Sequence, residues 1–154
     1  MPFDAPTLVA ETDIAAPPAV VWSMISDLPR MASWSPQVVK TLIPGGSTRA
    51  GARMVNLNRN GWKFWPTFSR VTVFEPEQQV AFRVADNWLH WSFELTPTAD
   101  GGTHVRHSRT APDGLSPVSA YSQKLAMGGT EKFDGVVEAG MRETLTRLKA
   151  EAEA

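Results

Sequence analysis

The chain has 154 residues, 15 lysines and arginines against 16 aspartates and glutamates, a formal charge of −1 and no cysteine. That length fits one hydrophobic core, so a single domain over 1–154 is expected. Charges of both signs spread along the sequence give no electrostatic footprint for nucleic acid or for an anionic membrane, so neither partner is expected, and the lack of cysteine excludes disulfides and thiolate metal sites.

Met1-Pro2-Phe3-Asp4 has neither a basic n-region nor an apolar h-region, and no apolar run approaches the roughly 18 residues of a spanning helix, so membrane insertion is not expected and a cytoplasmic location is. Six tryptophans against one tyrosine is the unusual feature of the composition. Their large apolar surfaces suit either a core or an aromatic pocket lining.

Leu8 to Ile14 alternates apolar with polar residues and predicts a strand, and Pro17-Pro18 then opens a short helix carrying Val20, Val21, Met24, Ile25 and Leu28. Pro29 ends that helix. Arg30 to Trp34 allows a further helical turn before Ser35-Pro36 forces an extended backbone. Strands follow at Val38 to Ile43, Ala52 to Asn58, Phe64 to Phe74, Gln79 to Val84, Trp88 to Thr96 and Thr103 to Thr110, with turn signals at Pro44-Gly45-Gly46, Asn60-Gly61, Glu75-Pro76-Glu77 and Asp100-Gly101-Gly102. Seven strands result.

Between residues 112 and 129, Ser116-Pro117 reads as an N-cap and first helical residue, with Leu115, Val118, Tyr121 and Leu125 at helical spacing beside a pocket mouth. Gly128-Gly129 then joins this helix to Thr130, the expected cap of a long one. Along that last helix, to about Ala150, Phe133, Val136, Val137, Gly140, Met141, Leu145 and Leu148 recur at three- and four-residue steps and form one stripe. A single helix cannot fill the concave side of so large a sheet, so a cavity is expected between them.

Strand parity sorts the faces. Leu89, Trp91, Phe93 and Leu95 share one face, and Thr103, Val105, His107 and Arg109 form the inner set of the partner strand. Depending on register, His107 lies opposite Trp91 or Phe93, and Arg109 opposite Leu89 or Trp91. In the longest strand Trp65, Thr67, Ser69, Val71 and Val73 are placed inside; for Met54, Asn56 and Asn58 against Val55 and Leu57, the pattern alone does not choose. An inward histidine and arginine are costly in a dry core, which a wet or ligand-filled cavity resolves.

His107 with Arg109 can polarise a carbonyl or bind a carboxylate, or the histidine can simply be hydrogen-bonded within the strand layer. His104 and His107 do not make a metal site, because their odd separation puts them on opposite faces. His90 and Glu94 share the outward face, and Glu94 can lie across from His104 as a solvated pair. Tyr121 can donate to a ligand or sit at a core edge. Gly140 makes room for a ligand or lets the helix approach the sheet. No phosphate-binding glycine loop or nucleophile elbow is present, and no cofactor is called for.

Pro17-Pro18 with Val21-Trp22, Ile25, Asp27, Arg30 and Trp34-Ser35-Pro36 resembles the opening motif of the START-like helix-grip superfamily, SRPBCC, in its polyketide cyclase/dehydrase branch. Gly51, Asn58-Arg59, Trp65, Val71, Glu75-Pro76, Phe82-Arg83-Val84, Trp91, Phe93, Leu95, Gly102-Thr103 and Val105 continue the likeness. The resemblance implies an α+β helix-grip fold: a seven-stranded antiparallel sheet wrapped around a long C-terminal helix, two short helices after the first strand and an internal cavity. Cyclases of this branch use cavity arginine, tyrosine or histidine to orient a polyketone, which by residue type points to Arg109, Tyr121 and His107.

The expected function is binding of a hydrophobic or aromatic, lipid- or polyketide-like molecule by a monomer or homodimer. A polyketide cyclase or dehydrase with His107 and Arg109 as catalytic groups is the alternative, and a co-chaperone-like or regulatory module a weaker one. The expected ligand-facing residues on the sheet are Trp65, Thr67, Ser69, Phe82, Trp91, Phe93, His107 and Arg109. From the helical side they are Tyr121, Phe133, Val137, Gly140 and Met141.

Overall fold

The computed structural model describes residues 4–126 and 129–154. Seven strands, β1 (Leu8–Ile14), β2 (Val38–Leu42), β3 (Arg53–Asn60), β4 (Lys63–Glu75), β5 (Gln79–Val84), β6 (His90–Pro97) and β7 (Thr103–Thr110), form one antiparallel sheet in the order β1-β7-β6-β5-β4-β3-β2. The 13-residue β4 carries a register shift between Val71 and Val73 opposite β5, and another shift interrupts β2 between Val38 and Lys40. Such bulges bend and twist a strand, and the sheet curls into a half-barrel. The β4 bulge also reverses the side-chain parity: Phe74, not Val73, packs against the core, where its ring meets Trp22 at 5.2 Å.

The helices are α1 (Pro18–Ile25), α2 (Pro117–Ala126) and the 23-residue α3 (Thr130–Ala152). Pro17 and Pro18 start α1, which buries Val21, Met24 and Ile25. Pro29 does not simply end it; Leu28–Ser33 forms a 3₁₀ helix with proline in its first turn, where its missing N–H leaves no bond unmade. The α3 cap is Gly129 at φ 105°, so Thr130 is the first helical residue; Gly128 lies outside the described residues.

Along α3 the buried side is Asp134, Val137, Gly140, Met141, Thr144, Leu145 and Leu148. Val136 faces outward, contrary to the expected stripe. Leu145 and Leu148 join Ile14, Val21, Leu28, Val71, Val80 and Val105 in a closely packed core at one end of the half-barrel. The same end is latched to β1: Lys149 Nζ donates to the Asp13 carbonyl at 2.6 Å, and the Ala15 N–H donates to Glu153 at 2.8 Å. Among the described residues no helix is long and apolar enough to cross a membrane.

Candidate functional site

The other half of the concave face is hollow. A cavity of about 470 Å³ lies between the sheet and the first half of α3. Its sheet wall includes Trp65 and Thr67 of β4, Phe82 and Val84 of β5, Trp91 of β6, and His107 and Arg109 of β7. Phe133, Val137, Gly140 and Met141 of α3 roof it, with Trp65 and Phe133 rings 6.1 Å apart.

Three expected residues do not line it. Ser69 is buried one pleat beyond Thr67, toward the packed end, with an unpartnered hydroxyl. Phe93 lies behind His107 rather than beside the space, its ring stacked on the imidazole at 3.9 Å and 5°. Tyr121 is 60% exposed. Val118, Tyr121 and Leu125 keep helical spacing but face solvent, because α2 turns its other side, Ser119, Ser122 and Gln123, to the cavity. Ser116 does cap α2: its Oγ accepts from the Ser119 N–H at 3.3 Å and donates to the Asp86 carbonyl at 2.6 Å.

The β6–β7 register puts His107 opposite Phe93 and Arg109 opposite Trp91. Glu94 lies opposite Arg106 rather than His104, which instead sits between Glu11 and Asp13 on the outer face. Strand β6 starts at His90; Trp88 stands in the preceding connection with φ 69°, a conformation unusual for a bulky residue. That connection supplies Asp86, Asn87 and Leu89 to the cavity.

His107 Nδ1 lies 3.0 Å from the Ser92 carbonyl oxygen. A carbonyl only accepts, so Nδ1 carries the hydrogen and Nε2 is left as a lone-pair acceptor. Burial pushes the imidazole down to about 4, against a smaller upward effect of the Ser92 bond, so the ring is neutral at neutral pH. Arg109, only 1% exposed, donates through Nη1 to Asp134 Oδ1 at 2.7 Å and through Nη2 to the Pro6 carbonyl at 3.0 Å. Both inward polar groups thus have protein partners. The burial cost that a wet cavity was expected to relieve is met mainly by Asp134, Pro6 and Ser92.

On β3 the inward set is Met54, Asn56 and Asn58. Asn56 accepts from the Thr41 hydroxyl at 2.6 Å, and Asn58 Nδ2 donates to Thr67 Oγ1 at 3.0 Å. Gln37 Nε2, Gln123 Oε1 and Arg109 Nε, all from lining residues, are buried without a partner. A β-carbon on Gly140 would stand 3.0 Å from Gln37 Oε1, so this glycine receives the loop after the 3₁₀ helix rather than the sheet. Among the described residues no three metal-ligating side chains converge.

A curled seven-stranded sheet around a long terminal helix, hollow at one end, defines the helix-grip class. The chain belongs to the family described as polyketide cyclase / dehydrase and lipid transport, whose profile matches residues 5–153. No curated protein matches it by sequence. Among solved structures it is similar to TTHA0849 from Thermus thermophilus (TM-score 0.72, 16% identity, 96% of this chain and 97% of that one). It is also similar to the Polyketide_cyc-like protein Cgl2372 from Corynebacterium glutamicum (0.63, 26%, 93% and 88%). A third is the di-domain ARO/CYC StfQ from the steffimycin biosynthetic pathway (0.69, 15%), where 96% of this chain matches 50% of that one.

Proposed function

We propose that the protein binds one uncharged apolar or aromatic molecule, lipid- or polyketide-like, in the cavity between the sheet and α3. The observation that carries this reading is the cavity itself, walled by Trp65, Phe82, Trp91 and Phe133, with the neutral acceptor His107 among a few polar lining groups. Apolar walls with a few placed polar groups are what small-molecule sites consist of. Arg109 is neutralised by Asp134, and the other charged lining residues, Lys63 and Asp86, are of opposite sign. Native mass spectrometry of the purified protein, followed by titration of tryptophan fluorescence with the released molecule, tests the reading. A one-to-one adduct and a saturable change support it; an empty protein that no apolar ligand perturbs rejects it.

The second reading, cyclisation or dehydration of a polyketide, is favoured by the family description and by the free lone pair on His107 Nε2. In that reading the cavity folds the chain and excludes water, and His107 accepts a proton rather than donating one, because its imidazolium is scarce at neutral pH. Turnover lost in His107→Gln with ligand affinity retained supports the enzyme. Unchanged turnover removes His107 from the chemistry.

A further inference from the structure

The convex side of the sheet carries a surface that the net charge of −1 conceals. Register aligns the outward side chains of β2, β3 and β4 in transverse rows. Arg53 stands directly opposite Arg70, and Arg70 opposite Arg83. The next row is apolar, Leu42, Val55 and Phe68, and the one after it is Lys40, Leu57 and Pro66. Arg59 opposite Phe64 closes the array near the β3–β4 turn. Phe64 and Phe68 are 59% and 54% exposed.

Arg83 has Asp113 at 3.5 Å, but among the described residues Lys40, Arg53, Arg59 and Arg70 have no acidic partner. No carboxylate points outward from β2 or β3, or from β4 before Glu75. Like charges directly opposite on neighbouring strands destabilise a sheet. The free protein thus holds four cations without a described acidic partner around an apolar band.

We propose that this convex face docks on the surface of a bilayer containing anionic lipid. The apolar band enters the boundary between headgroups and acyl chains, while the arginines and Lys40 extend to the phosphates and carboxylates. A second copy of the same face does not fit, because a two-fold contact would set cations against cations with no acid to receive them. Arg59 Nε donates to the Pro36 carbonyl at 3.3 Å, whereas Arg53 and Arg70 have no described partner that fixes a carboxylate-binding geometry, which suits a diffuse negative surface better than one acidic protein. Trp62, Phe64 and Pro66 border both this face and the cavity, so docking brings the cavity rim next to the acyl phase. The proposal stands on the face alone, whatever the cavity holds.

Flotation with phosphatidylcholine vesicles, with and without phosphatidylserine, tests it using the full chain. Binding is expected only to the phosphatidylserine vesicles and weakens as salt is raised. Arg53→Gln with Arg70→Gln lowers partitioning about twenty-five-fold, at about fivefold per cation, while thermal stability holds or rises because a repulsive pair is gone. Phe68→Ser also weakens binding without unfolding the chain. Absence of binding to phosphatidylserine vesicles, equal binding to neutral ones, or binding indifferent to the arginine changes overturns the proposal. So does a dimer or an acidic protein covering the face while vesicles do not bind.

Discussion

Arg109 on β7 reaches Asp134 on α3 with 2.7 Å between Nη1 and Oδ1, and the pair ties the hollow half of the sheet to its roof. Leu145 and Leu148 hold α3 at the packed end by apolar contact; around the cavity Val137 and Met141 continue that contact, and the ion pair adds a polar tie to it.

Breaking that pair from one side strands a buried charge. Arg109→Leu alone is expected to lower unfolding free energy by about 3–5 kcal/mol. The double variant Arg109→Leu, Asp134→Leu recovers much of the loss, since no uncompensated charge remains. Urea denaturation of the four proteins in the cycle measures it.

His107 makes stability fall in acid. Its imidazole titrates at about 4 when folded against 6.5 when exposed, so between those values the unfolded chain binds a proton that the folded chain refuses. Stability contributed at neutral pH is lost as pH falls below 6.5, and amounts to about 3 kcal/mol by pH 4. In His107→Gln this part of the acid limb is expected to be absent from melting curves recorded between pH 7 and 4.

His104, three residues earlier, shifts the other way. Glu11 first and Asp13 second raise its pKa, so its contribution is full below about 6.5 and disappears as pH rises through the higher folded value. The ring is exposed enough for solvent to keep that contribution small. Proton NMR is expected to show its ring signals titrating above 6.5, and Glu11→Gln to bring the midpoint down.

The buried cation of the cavity, Arg109, is already paired with Asp134, which sets ligand charge. A long-chain alcohol is expected to bind at least about tenfold tighter than the acid of equal length at neutral pH, because the carboxylate would be buried unpaired. Asp134→Asn releases Arg109 to bind an anion and is expected to reverse the order. Competition against a fluorescent apolar probe reads both.

All seven strands are legible in the sequence because alternation survives in each of them. Register is not, since a hairpin pattern permits two alignments; the structure selects Phe93 for His107 and Trp91 for Arg109. The bulge in β4 carries no residue signature and moves Phe74 inward in place of Val73. The inner face of β3 escapes pattern reading because it bears asparagines, satisfied by Thr41 and Thr67 on neighbouring strands.

Asp134 is marked in the sequence by its position and charge. It lies three residues before Val137, on the stripe, and a carboxylate there needs a cation such as the inward Arg109. Hydropathy alone favours Val136. On α2 the apolar spacing of Val118, Tyr121 and Leu125 misleads because that side is exposed, while its polar side borders the cavity.

Strand β1 pairs only with β7, and Asp13 meets His104 across 91 residues of chain. On a ribosome moving at about 5–20 residues per second, β1 emerges roughly five to twenty seconds before its neighbour exists. Throughout that interval Leu8, Ala10 and Ile14 have no sheet to join. Closure of the half-barrel is therefore a late event, awaiting the final hairpin and the helix behind it, and a nascent chain paused before β7 presents a sticky, unpaired segment to the cell's chaperones.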